Sequence, residues 1–249
     1  MSELETTFAK EAEQYLAMGF GAMKLKVGLG VRNDLRLIAA VRGAVPEETA
    51  VMMDANHAYE PATAIELGRK AEKFNLTWFE EPVSPLDLAG YAAVRRAIAI
   101  PLAGGECEYT RFGFDTLMRS GAIDYAQPDL CACGGITEAM KIATLASLHS
   151  IHVTPHAWGT AVGQAAALHF YAARVGNPAT MVAETKWLEC DLSENPLRNA
   201  IVEEPICLKN GSWVIPQTPG LGVTPLIERF AALQSTWEAK TSCVEDKSQ

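Results

Sequence analysis

The sequence predicts an α/β protein of the (β/α) barrel class. Short β-rich runs alternate strictly with longer segments of helical period, the pattern of a parallel sheet. The starts of those runs recur about every 23 to 31 residues, without an obvious dinucleotide-binding fingerprint. At 249 residues and 49% hydrophobic content, the chain can bury one large domain with a full core.

The elements follow in order. Everything before Gly19 has helical period, with Leu4, Phe8, Ala12, Tyr15 and Leu16 on one apolar face. Six β-rich runs come next: FGAMKLKVG, AVMMDAN, LTWFEEP, IPLAGGE, IDYAQPD and IHVTPHAWG, with MVAETKWLE as a less regular seventh. Between them lie NDLRLIAAVRGAV, PATAIELGRKAEKF, LAGYAAVRRAIA, RFGFDTLMRSG, ITEAMKIATLASLHS and GQAAALHFYAARVG, whose apolar residues recur at three- and four-residue intervals. A complete barrel has about eight strands, so the first strand is expected to be missing. The segment NPLRNAIVEEPICLKNGSWVIPQTPGLGV carries hairpin-like punctuation that leaves the barrel pattern and is expected to pack outside it. The predicted division is a barrel over residues 1–205, a C-terminal segment over 206–235 and a flexible tail over 236–249.

Composition excludes several classes. A formal net charge of -9, with no cluster of Lys and Arg, argues against a nucleic-acid surface. No apolar run reaches the length of a membrane span, and the charged start MSELETTFAKEAEQ is unlike a signal peptide. A cytoplasmic protein with no membrane partner is expected. The six cysteines lack paired CxxC spacing and are expected to be reduced. Cys131 and Cys133 fit small packing residues better than a metal site.

Six of the runs carry chemistry. In AMKLKV, Met23, Leu25 and Val27 can meet the helices, which turns Lys24 and Lys26 inward together. Two cations inside a barrel are tolerable only where anions meet them. The next three runs supply anions at their ends: Asp54, Glu80 and Glu106, spaced 26 and 26 residues apart. Barrel catalysis occurs at this C-terminal rim, and three converging carboxylates with all-oxygen ligation suit Mg2+. Asp129 and His156 then end neighbouring runs at the same rim, where a carboxylate can orient an imidazole and raise its pKa. His57 sits just past a strand, while His149, His152 and His169 are assigned to helical or adjoining segments without a role.

With KLK, DAN, EEP, GGE, QPD and PHAWG in this order over roughly residues 1 to 235, the chain resembles the barrel domain of the enolase superfamily, specifically its mandelate racemase subgroup. The resemblance implies a (β/α)7β-type TIM barrel, here without its first strand and N-terminal capping domain. It implies that Asp54, Glu80 and Glu106 bind Mg2+, that Lys26 is one acid/base supported by Lys24, and that His156, tuned by Asp129, is the other. Asn56 would line the site, and Glu189, preferred over Glu184, would meet the substrate carboxylate. Family barrels commonly assemble, so a homo-oligomer is expected.

The resemblance further implies a small-molecule carboxylate substrate, a sugar acid or 2-hydroxy acid, whose α-proton is removed to give an enediolate. Dehydration of a sugar acid is the leading expectation. Racemisation or epimerisation of a 2-hydroxy acid is the alternative, and a chain inactive until another polypeptide completes it is the second.

Overall fold

The computed structural model describes residues 3–174 and 185–232. Helix α1 (Glu3–Ala17) leads into strand β1 (Ala22–Lys26). Strand and helix then alternate through α2 (Val31–Ala44), β2 (Ala50–Asp54), α3 (Pro61–Ala71), β3 (Phe79–Glu80), α4 (Leu88–Ala97), β4 (Leu102–Gly104) and α5 (Thr110–Arg119). The series closes with β5 (Tyr125–Ala126), α6 (Gly135–Leu148), β6 (His152–Val153) and α7 (Ala161–Ala173). All six strands pair in parallel in the order β1-β2-β3-β4-β5-β6. An unreversed order with helical crossovers is the barrel's sequence of steps, whereas a doubly wound sheet reverses at a switch point.

Strand alternation sorts the side chains into two layers. Leu25, Val51, Met53, Phe79, Leu102 and Val153 belong to the main core, together with Leu37, Leu67, Val94, Phe114 and Ile142 from the helices. Met52, Trp78 and Ala103 form a separate cluster on the other face, packed by Tyr125 and Trp187. Register pairs Lys24 with Met52, Lys26 with Asp54, and Asp54 with Glu80. Lys24 therefore stands level with Met52 of that cluster, and Lys26, Asp54 and Glu80 stand two residues further along their strands than Lys24, Met52 and Trp78.

The ladders of β3, β5 and β6 are shorter than the β-rich runs in the sequence. Pairing continues past them by single bonds, from Glu81 N to Ala103 O (3.0 Å), Gln127 N to Gly104 O (3.0 Å) and Thr154 N to Ala126 O (3.0 Å). The predicted seventh run behaves differently. Met181–Glu184 lie outside the described residues, and Thr185–Glu189 makes no ladder. Side-chain hydroxyls of Thr154 and Tyr171 donate to the Trp187 carbonyl instead, at 2.8 and 2.6 Å. His152, expected in a helical or adjoining segment, opens β6, where its ring stacks 4.9 Å from Tyr125.

The C-terminal segment contains a short helix α8 (Pro196–Asn199) and an antiparallel hairpin of β7 (Leu208–Lys209) and β8 (Ser212–Trp213). Its turn residues, Asn210 and Gly211, both have positive φ (51° and 66°), as a two-residue hairpin turn of type I′ requires. This turn presses on Gly19, where φ is +92° and an added Cβ would stand 2.7 Å from the Asn210 carbonyl carbon. Gly19→Ala is therefore expected to destabilise the fold by about 1–3 kcal/mol. Gly43→Ala, on a helical position with open space around it, should instead stabilise by about 0.4–1 kcal/mol. Urea denaturation of the two variants beside the parent checks both signs. The predicted tail 236–249 lies outside the described residues. Among the described residues, no helix is long and apolar enough to cross a membrane.

Candidate active site

Lys24 is the hub of the polar cluster. Its ammonium donates to Glu80 Oε1 at 2.6 Å and to Glu189 Oε1, and stands 3.5 Å from Asp54 Oδ2. Burial alone would lower its pKa, but Glu80, Glu189 and Asp54 outweigh burial and hold it well above the ordinary lysine value. Lys24 is thus a permanent cation. Lys26, two residues on, donates to Asp54 Oδ2 and to Asn56 Oδ1, the latter at 2.7 Å, and its side chain is 61% exposed. One strand face therefore holds an enclosed lysine and an open one.

The carboxylates converge from the strand ends. Asp54 closes β2 and Glu80 closes β3, and both are fully buried. Glu106 follows β4 after Gly105, whose φ of +126° turns the chain. One oxygen from each of the three lies within 4.8 Å of the others. Burial pushes the Asp54 carboxyl up, but Lys24, Lys26 and the Asn56 N–H hold it below the usual carboxylate range. Glu80 moves the other way, because burial and the charges of Asp54 and Glu189 exceed what Lys24 returns. Three carboxylates surround one enclosed ammonium, so lysine and glutamate are both raised by the same surplus of negative charge. Glu106 Oε2 is buried with no hydrogen-bond donor, although His156 Nε2 stands 3.5 Å away. A surplus of converging oxygens with an orphaned acceptor fits a hard divalent cation.

The opposite wall is the loop after β6. His156 Nδ1 meets Asp129 Oδ2 at 2.7 Å, and its Nε2 faces Glu106 and Glu189 at 3.5 and 3.9 Å. Burial disfavours the imidazolium, but the bond to Asp129 and the charges of Glu189 and Glu106 raise its pKa to about 9. Asp129 is held below the usual range in return. Glu189 joins the two walls. Its Oε1 accepts from Lys24 on β1, and its Oε2 accepts from the Ala157 N–H at 2.7 Å, beside His156. Despite burial, Lys24, His156 and that N–H keep its carboxyl low.

All nine residues singled out from the sequence, Lys24, Lys26, Asp54, Asn56, Glu80, Glu106, Asp129, His156 and Glu189, thus meet in one network. Glu184 lies outside the described residues.

A family model described as enolase C-terminal domain-like matches residues 7–229. The chain belongs to this family. Within it, the enolase-like chain is 47% identical over 215 residues to the D-galactarolactone cycloisomerase of Agrobacterium fabrum, covering 86% of the chain and 57% of that relative. It is 36% identical to the arabinonate dehydratase of Saccharolobus solfataricus, covering 86% of the chain and 55% of the relative. The crystal structure of the 3,6-anhydro-D-galactonate cycloisomerase from Zobellia galactanivorans superimposes with a TM-score of 0.84 at 45% identity, covering 92% of the chain and 63% of that structure. The enolase-like chain therefore spans less than two thirds of the length of these relatives.

Sequence reasoning missed three residues of this enolase-like site. Trp78 Nε1 and Gln127 Nε2 both donate to Glu80 Oε2, at 3.0 and 2.8 Å, and lock the carboxylate that Lys24 holds by its other oxygen. Trp78 lies two residues before Glu80, so strand period alone would have placed it on the same face. Asp34 is fully buried and accepts from the Gly28 and Leu29 N–H groups, both at 3.0 Å, and from the Tyr59 hydroxyl, fixing the loop that follows Lys26. Its position inside a helical segment gave no such signal. No metal-binding group among the described residues includes Cys131 or Cys133.

Proposed function

We propose that this domain catalyses a β-elimination from a sugar acid that begins with removal of the proton α to the carboxylate. The observation that carries the reading is the pairing of an open lysine, Lys26, with an imidazolium, His156, across a wall of carboxylates that Glu189 closes. Asp54, Glu80 and Glu106 would hold Mg2+, which when bound stabilises negative charge developing on the substrate carboxylate.

The chain's own residues divide the remaining work. Lys26 takes the α-proton onto Nζ, after first releasing its own, while Asp54 and Asn56 fix the direction of that amine. The C–H electron pair moves into the carboxylate, giving an enediolate whose charge the permanent cation Lys24 offsets. As that pair returns to form the α,β double bond, the β C–O bond breaks, and the departing oxygen takes the proton from His156 Nε2. An imidazole that is charged at neutral pH is supplied as an acid, ready to protonate the departing oxygen. Asp129 holds Nδ1 so that Nε2 carries the proton into the site. The resulting enol tautomerises to a 2-keto acid.

Dehydration and cycloisomerisation differ here only in the leaving oxygen. A hydroxyl departs as water, whereas a ring oxygen stays tethered and the product is an isomer. Identities of 47% and 45% to two cycloisomerases, against 36% to a dehydratase, favour the tethered oxygen as a second reading.

Proton NMR in D2O with Mg2+ tests the proposal, using linear aldonic and aldaric acids beside their lactones and anhydro forms. The expected result is a Mg2+-dependent 2-keto acid, from linear acids under dehydration or from cyclic ones under ring opening. An inverted epimer would replace elimination with racemisation. A folded, Mg2+-bound chain that exchanges no α-proton in any of them would overturn the reading.

A further inference from the structure

A second group of donors adjoins the three converging carboxylates through the shared Glu106. Glu81, Glu106 and Cys107 each offer one ligand atom, all within 4.8 Å of one another. Glu81 follows Glu80 directly, so the strand turns the two carboxylates in different directions. Glu81 Oε2 meets His57 Nδ1 at 3.2 Å, but its Oε1 is buried with no hydrogen-bond partner in a residue with no exposed surface. Such an oxygen is costly unless a donor or a cation meets it, and a neighbouring donor that bears on this carboxylate besides His57 is the Cys107 thiol. The Glu106 oxygen Oε2 has no hydrogen-bond donor either. Cys107 is exposed and carries a free thiol, so the group is open to an ion from solvent.

We propose that Glu81, Glu106 and Cys107 form a second cation site that takes a thiophilic divalent ion, Zn2+ or Cd2+. The sulfur decides the class of ion, because thiolate donors select soft or borderline metals while Mg2+ keeps to oxygen. On binding, the Cys107 S–H proton passes to solvent, and the thiolate and two carboxylates meet the ion. His57 anchors Glu81 through Oε2 and leaves Oε1 to ligate, the arrangement by which an imidazole behind a carboxylate fixes its direction. Glu106 belongs to both donor sets, so a thiophilic ion here competes with Mg2+ for a shared ligand. The site is inhibitory by construction. It is tested without substrate, so its failure would leave the proposed reaction standing.

Cadmium chloride titrated into the full chain reads the site through the ultraviolet thiolate-to-cadmium charge-transfer band. The band is expected to saturate at the first equivalent and to vanish in Cys107→Ser, a one-atom change on an exposed side chain whose folding circular dichroism verifies. Glu81→Gln should weaken cadmium binding on the order of tenfold or more, and excess Mg2+ should raise the cadmium concentration needed. A first-equivalent band that persists in Cys107→Ser assigns the sulfur to another cysteine and overturns the proposal. Loss of the band in Cys107→Ser with no effect of Glu81→Gln or Mg2+ means a lone thiol, and overturns it equally.

Discussion

Lys26→Ala is expected to slow α-proton exchange by about 10²–10⁴-fold, the usual range for loss of a general base, while leaving the fold nearly untouched. The Lys26 side chain is 61% exposed, and its partners Asp54 and Asn56 keep other donors or solvent, so the stability change should stay within about 1 kcal/mol. Lys24→Ala should slow exchange as well, because Lys24 offsets the enediolate charge, and should in addition cost stability. It strips the counter-charge from the fully buried Glu80 and from Glu189, and breaking a buried pair by removing one partner costs about 3–5 kcal/mol. Denaturation midpoints and exchange rates measured on the same samples separate the two lysines. A Lys26→Ala chain that still exchanges the α-proton at the parent rate would remove Lys26 from the chemistry, and a Lys24→Ala chain as stable as the parent would remove Lys24 from the hub.

The two lysines also show why so much of the site was legible. Strand residues alternate faces, so the KLK spacing inside an apolar run fixes orientation without knowledge of the neighbours. The carboxylates were legible for a related reason. Each ends a β-rich run, and a parallel sheet in sequential order brings consecutive strand ends side by side, as the pairing of Asp54 with Glu80 records. What sequence could not supply was the contact across the sheet's two ends. Glu189 was preferred over Glu184 on resemblance alone. Its bonds to Lys24 and to the Ala157 N–H arise from a segment that makes no ladder and therefore has no register to read. Glu81, the second glutamate of EEP, has no assignment from the sequence because strand alternation turns it off the face of Glu80, whereas the fold buries it completely. The two-residue ladder of β5 is prolonged at both ends by single bonds, Asp124 N to Leu102 O at 2.8 Å and Gln127 N to Gly104 O at 3.0 Å, a cross-strand detail that no local period encodes.

Asp129→Asn should lower the pKa of His156 by about 1–2 units, since it removes the neighbouring charge and the acceptor that favour the imidazolium. The parent value, about 9, lies above the free-imidazole value of 6.5. The dyad's contribution to stability is therefore complete below about 6.5 and is lost as pH rises through about 9. The variant should be less stable than the parent at pH 6, and the gap should close by about pH 10. Proton NMR of the His156 ring, titrated free of metal so that Glu106 and Glu189 carry the same charges in both proteins, reads the shift directly. The catalytic consequence is a separation of two steps. Lys26 still removes the α-proton, so exchange persists, but at neutral pH less of His156 carries the proton that the leaving oxygen needs, and keto-acid formation falls further than exchange does. Equal losses in both steps would mean that Asp129 shapes the site as a whole, and an unchanged His156 titration would mean that the carboxylate is not what raises it. Exchange without elimination would place His156 at the leaving group, because an enzyme that expels an oxygen delivers this proton to that oxygen, whereas one that inverts a centre delivers it to the α-carbon.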